Sequence, residues 1–97
     1  MDAAREQHAA FLEKEIITTV LQSLIDHPDE LNVRRFSEPD EMLRFQVHAH
    51  RSDIGRILGF GGRNIMALRR ICHAYATKNQ FQVKIDVIEP DGRGKNK

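Results

Sequence analysis

Three glycines fall within four positions, Gly59-Phe60-Gly61-Gly62, and they separate two stretches of helical character. Glycine costs backbone entropy on folding, so such a cluster marks a place where the chain must turn sharply or let something approach its backbone closely. On one side, Ser52 or Asp53 can cap a short helix, Ile54-Gly55-Arg56-Ile57-Leu58, which Gly59 ends. On the other, Ile65, Leu68, Ile71, Cys72 and Tyr75 share one face of a longer helix. Arg70 points nearly opposite that face and Arg69 flanks it. The chain must therefore fold as helix, bare corner, helix, and the rest of the sequence must give these helices a surface to pack on.

That surface is legible in two periodicities. Leu12, Ile16, Val20 and Leu24 recur every four residues, with Ile17, Leu21 and Ile25 widening the stripe, which predicts an amphipathic helix of roughly 16–20 residues. Pro28 disfavours helical geometry in the residue before it, so this helix should stop near Asp26-His27. Phe11 falls off the stripe. Period-two alternation then predicts strands at Leu43–His48 and Phe81–Val87, with a weaker one at Leu31–Phe36. Ser37-Glu38-Pro39-Asp40-Glu41 has turn chemistry that suits an antiparallel hairpin. The order α-β-β-α-α-β predicts an α+β domain, with helices covering one face of a three-stranded sheet and the other face left open. Residues 1–10 read as a polar N-terminal extension, 11–89 as one domain and 90–97 as a flexible tail without an apolar anchor.

Charge is distributed unevenly. The formal net charge is only +1, yet Met1–Glu30 carries seven acids against two bases and the remainder thirteen bases against seven acids. Between Arg51 and Lys84 seven bases face a single acid, Asp53. A polyanion partner for this second part is one explanation, and a merely solubilising basic surface is the other. The lone Cys72 excludes an internal disulfide and any multi-cysteine metal site, which with the absence of a secretory signal pattern favours the cytoplasm. No apolar run approaches the roughly 18–20 residues that a membrane span requires.

The corner itself suits phosphate. Without Cβ atoms the backbone can come close to a sugar-phosphate chain, and a helix begins there with unpaired N–H groups and the positive end of its dipole. Arg56 and Arg63 bracket the loop. A tight helix–turn–helix corner without a ligand would use the same glycines. Dinucleotide and P-loop readings fit worse: position 64 is Asn where the first requires glycine, no Gly-Lys-Ser/Thr follows for the second, and both require a preceding strand.

Ile54-Gly55-x-Ile57-x-Gly59-x-x-Gly62-x-x-Ile65 resembles the I-G-x-x-I-G-x-x-G-x-x-I core of KH domains, and the element order is that of their bacterial, type II form. The likeness extends from Glu15 to Ile88 and is similar to the minimal bacterial KH proteins. It implies a mixed three-stranded sheet and single-stranded RNA held at the Gly59–Gly62 loop and an adjacent apolar groove, about four nucleotides in all. It further implies a non-catalytic RNA chaperone or post-transcriptional regulator, able to form a homodimer or to pair with a larger KH-containing protein. Carried onto this chain, the candidate site is Ile54, Gly55, Arg56, Ile57, Leu58, Gly59, Phe60, Gly61, Gly62, Arg63, Ile65 and Arg69. Ile54, Ile57 and Ile65 line the groove floor or the core beneath it; in the RNA-binding reading Ile57, Leu58 and Ile65 meet bases and the arginines meet phosphates. The two variable loop positions often include Lys or Arg, and here they are Phe60 and Gly61. Phe60 either stacks on a base or packs against a partner chain. An interaction subunit with weak RNA affinity of its own is the alternative reading.

Other chemically suggestive residues are weaker. His48 and His50 share a strand face, but no third ligand is near, so they read as exposed histidines, as do the isolated His27 and His73. Cys72 and Tyr75 read as core. No nucleophile, base and acid combine into a catalytic site, and no cofactor or metal is expected.

Overall fold

A computed structural model describes residues 3–90 and the pair Gly94–Lys95. The first helix, α1, runs over residues 3–22. It begins nine residues before the apolar repeat at Leu12, so most of the segment expected as an extension is helical, with Ala9 fully buried. Its buried face is not the four-residue repeat Leu12-Ile16-Val20-Leu24. Phe11–Ile17 winds as a π-helix, which takes more residues per turn, so burial steps from Leu12 to Ile17 and then to Leu21. Val20 is thereby rotated outward, 39% exposed. The helix ends at Gln22, before the expected stop, and Ser23 closes it by donating its hydroxyl to the Val20 carbonyl. Pro28 instead opens a one-turn 3₁₀ segment, Pro28–Glu30.

The strands form where alternation placed them. β1 (Asn32–Glu38) and β2 (Met42–His48) make an antiparallel hairpin, and β2 pairs in parallel with β3 (Gln82–Ile88). Parallel neighbours require a crossover, here two helices, α2 (Ile54–Leu58) and α3 (Arg63–Lys78), joined by the glycine corner. The three-stranded mixed sheet expected from the sequence is thus present. Gly94–Lys95 adds a short fourth strand, β4, antiparallel to Val87 and Ile88. The other residues assigned to a flexible tail, apart from Pro90, lie outside the described residues.

The core lies between the helices and the inner face of the sheet. Leu43, Phe45 and Val47 of the central strand are fully buried against Leu12, Ile17, Ile57, Ile65 and Cys72. Truncating a ring such as Phe45 in a packed interior costs about 3–5 kcal/mol. Burial also pushes the Cys72 thiol up to about 11, so it stays protonated and inert. Two placements differ from the sequence reading. Ile71 is 57% exposed, because it turns off the Ile65–Leu68–Cys72–Ala76 face that packs inward. Tyr75 is half-buried, with its hydroxyl bonded to His8 and its ring stacked on Phe11.

Candidate nucleic-acid interface

The corner is a run of backbone conformations that side chains disfavour. Gly59, Gly61 and Gly62 have φ of 77°, 64° and 79°. At Gly59 space is also lacking: a Cβ would sit 2.6 Å from Asn64 Cγ and 2.8 Å from its backbone nitrogen. Asn64 fills that space because its side-chain amide donates to the Arg56 carbonyl at 2.8 Å, tying α3 back onto α2. Two further bonds tighten the turn, from the Gly59 amide to the Gly55 carbonyl and from the Gly62 amide to the Gly59 carbonyl. The Arg63 amide is spent on the Phe60 carbonyl, and no side chain caps the start of α3. The positive end of a 16-residue helix is thus left without a side-chain cap, where it favours an anion.

The candidate residues separate into two layers. Ile54, Ile57, Gly62 and Ile65 are buried, so they seat the corner from beneath. Of the two places expected for them, Ile57 and Ile65 take the core beneath the groove: both are wholly enclosed and present no surface to a base. Leu58, Gly59 and Arg69 are half-buried, while Gly55, Arg56, Phe60, Gly61 and Arg63 are exposed. Phe60 is the most exposed large apolar residue described, at 86%, and the Arg63 guanidinium lies 5.8 Å from its ring centroid. Arg56 makes a solvent-exposed pair with Asp26 at 3.3 Å, a contact of small energy that a ligand can replace.

About two turns along α3 from the corner, a groove of about 440 Å³ runs between α3 and β3, lined by Arg69, Arg70, His73, Val83, Lys84, Ile85 and Asp86. Its lining is mainly apolar in area, as the resemblance implies, with Arg69, Arg70, His73 and Lys84 adding basic groups. Arg69 spans it, donating from Nε and Nη2 to the Ile85 carbonyl at 3.1 and 2.8 Å. Arg70, His73, Val83 and Lys84 lie outside the motif that marks the site in the sequence. They become visible only when the parallel pairing brings β3 alongside α3, although the basic run over 51–84 had pointed to that region.

The single acid in that run does not reach the surface. Asp53 is 1% exposed and accepts from the backbone amides of Asp26 and His27 and from the His27 ring, all at 3.1 Å. Burial alone would raise its carboxyl, but these three donors outweigh it and hold the group below the usual carboxylate range. Asp53 therefore does not make the side-chain cap of α2 that the sequence suggests, but ties the segment after α1 to the base of the site. His27 is accordingly not isolated, and it also stacks on His50 with ring centroids 3.9 Å apart. The His50 ring accepts from the Ser52 amide at 3.1 Å, taking the local capping role expected of Ser52 or Asp53. Burial, and secondarily the nearby Arg34, lowers the pKa of His48, which is not the exposed histidine expected. Among the described residues no cluster of three metal-ligating side chains occurs, and no helix is long and apolar enough to cross a membrane.

Two helices joined at a bare glycine corner, laid beside the edge of a mixed α-β-β-α-α-β sheet, define a type II KH domain. Residues 14–87 match the sequence model of the KhpA/KhpB KH domain, and the chain belongs to that family. It is 35% identical to the RNA-binding protein KhpA of Halalkalibacterium halodurans, over 78% of this chain and 99% of that protein. The RNA-binding proteins KhpA of Listeria monocytogenes and Bacillus subtilis are 29% and 28% identical, each over 78% of this chain and over 99% and 93% of their own lengths. No solved structure matched the chain significantly. KH domains of this family are not enzymes.

Proposed function

We propose that this chain binds single-stranded RNA without catalysis, laying about four nucleotides across the glycine corner and the α3–β3 groove. One observation carries the reading: the uncapped start of α3 is flanked by Arg56 and Arg63, Arg70 and Lys84 line the groove further along the same helix, and the only acid between residues 51 and 84 is sealed inside the fold. The names of the relatives agree with it. The exposed residues of the candidate set, Gly55, Arg56, Phe60, Gly61 and Arg63, meet the RNA, with Leu58, Gly59 and Arg69 at its edge. Ile54, Ile57, Gly62 and Ile65 hold the corner in shape. The physiological role is that of a cytoplasmic RNA chaperone or post-transcriptional regulator. The site belongs to a single KH domain whose body is residues 11–89, with the helical residues 3–10 packed onto it through Ala9 and His8.

Anisotropy titration of a short fluorescent single-stranded RNA tests this. With about three phosphates neutralised, log affinity should fall against log salt with a slope of about −2, and the Arg56→Ala Arg63→Ala double variant should flatten it toward about −0.7. A salt-independent interaction, or a double variant that binds like the parent, contradicts the reading.

A second reading is supported by exposed apolar side chains outside the groove: Ile71 at 57%, Met66 at 45%, Phe36 at 42% and Phe11 at 40%. Here the chain is an interaction subunit, a homodimer or the partner of a larger KhpB-like KH protein, with weak RNA affinity of its own. Sedimentation showing a dimer at micromolar concentration, together with no RNA shift at low salt, selects it.

A further inference from the structure

The most unusual side chain at the corner is also the one with the least structural reason to be there. Phe60 is 86% exposed and contributes nothing to the core. A phenyl ring left in water at the tip of a solvated basic turn forgoes the burial that normally favours it. Yet the ring is not loosely held. The backbone beneath it is fixed by three left-handed glycines and two turn hydrogen bonds, and the Arg63 guanidinium lies 5.8 Å from its centroid. Next to it stands Gly61, which has no side chain to cover the ring, and at 86% exposure the ring's faces are open to solvent. The result is a propped aromatic surface with one cationic neighbour and free space alongside.

Resting on the RNA-binding reading, we propose that Phe60, supported by Arg63, is a stacking platform for one unpaired nucleobase at the loop end of the bound strand. A flat apolar face next to a cation matches a nucleotide, which offers a π-face and a phosphate within one residue's length. The surroundings favour that occupant over an apolar protein surface. From Arg63, the exposed side of α3 passes Met66 to Arg70, about 10 Å along the helix at 1.5 Å per residue, where the basic groove begins. Phe60 thus stands at the head of a cationic track, where a protein partner would have to desolvate arginines to reach one ring. The platform selects for single strands, because a paired base has no free face to offer, and it tolerates any base identity. At this position the chain replaces a charge contact to the backbone by a contact to the base.

A coupling experiment tests it, using a short single-stranded RNA and a set of copies with one abasic position walked along it. Phe60→Ala should weaken binding to the intact RNA by roughly five- to a hundredfold, Phe60→Tyr should stay close to the parent, and Phe60→Leu should lose most of what Ala loses. At one abasic position the parent should weaken by a similar factor, and Phe60→Ala should show no further loss there. Binding by Phe60→Ala equal to the parent, or losses that simply multiply at every abasic position, overturns the platform while leaving RNA binding intact. Full retention by Phe60→Leu also overturns it, since bulk apolarity would then suffice. A change in self-association with unchanged RNA affinity assigns Phe60 to a second copy and overturns it too. A parent that binds no RNA at low salt removes the platform together with the reading beneath it.

Discussion

Two basic regions of this molecule handle their charge in opposite ways. On the open face of the sheet, Arg44 sits between Glu38 and Asp86, donating from Nε at 2.8 Å to the first and from Nη1 at 2.6 Å to the second. The hydrogen bond with Arg44 lowers the Glu38 carboxyl, and its bonds to Glu38 and Asp86 push the guanidinium further up, so the charges across the three strands answer one another. At the corner, Arg63 faces an aromatic ring, and among the described residues no carboxylate pairs with Arg63 or Arg70. Matched arginines hold a fold together, whereas unmatched ones around an uncapped helix start are arranged for something that comes from outside. The backbone shows the same contrast: the hairpin and crossover are regular pairings, while the corner concentrates three left-handed glycines.

The comparison breaks most sharply at the glycines. Gly59→Ala should destabilise the fold by about 2–5 kcal/mol, since a left-handed φ is combined with a collision against Asn64. Gly61→Ala meets open space and should cost only about 1–2 kcal/mol, from φ alone. Denaturant melts of the two variants check the ordering. Equal losses would mean that the corner is not packed as described. Gly61→Asp separates fold from function at the same place, because Asp tolerates the left-handed region. It should keep a cooperative melt and weaken RNA binding roughly tenfold or more by repelling phosphate.

Exchanging one arginine from each region is the next test. Arg44→Met should lower the melting temperature by a few degrees and leave RNA affinity within about twofold. Arg63→Met should do the reverse, with little change in melting and a clear loss of affinity. Matching losses of affinity in both variants would place the interface on the sheet.

The smallest effects lie in the pH dependence. Glu38 and Asp53 both have folded pKa values below their usual 4.5 and 3.8. Their contributions to stability are complete above those usual values and are lost as pH falls through the folded ones. His48 titrates below its usual 6.5, so the neutral ring is favoured in the fold, and its contribution weakens as pH drops below 6.5. Stability measured from pH 7 to pH 2 should therefore decline gently first and more steeply below about 4. Asp53→Asn should be less stable at pH 7 and show a shallower acid limb. An acid limb unchanged in that variant would mean that Asp53 is not held ionised by its three donors.

Much of the fold could be read from local pattern. Alternation located β2 and β3, and the glycine cluster located the corner, because both signals are set by nearest neighbours in the chain. What escaped notice depended on contacts between distant segments. The π-turn at Phe11–Ile17 shifts the buried face of α1 by a residue, and four-residue counting had placed Val20 inward instead. Asp53 looked like a cap but turns inward to amides 26 and 27 residues away. His27 looked isolated for the same reason. At the site, the loop and its flanking arginines were legible, whereas Arg70, His73, Val83 and Lys84 form a groove only through the parallel β2–β3 pairing. Ile57 and Ile65 belong to a motif whose spacing cannot distinguish a floor that touches the ligand from one that merely supports it.

The most direct test follows backbone amide shifts of the labelled protein as short single-stranded RNA is added. The largest changes are expected from Phe60 to Arg63, continuing through Arg70 into Val83–Ile85, with Arg34, Arg44 and Gln46 on the open sheet face unmoved. Shifts confined to that sheet face, or a corner that does not respond to oligonucleotide at low salt, would contradict it.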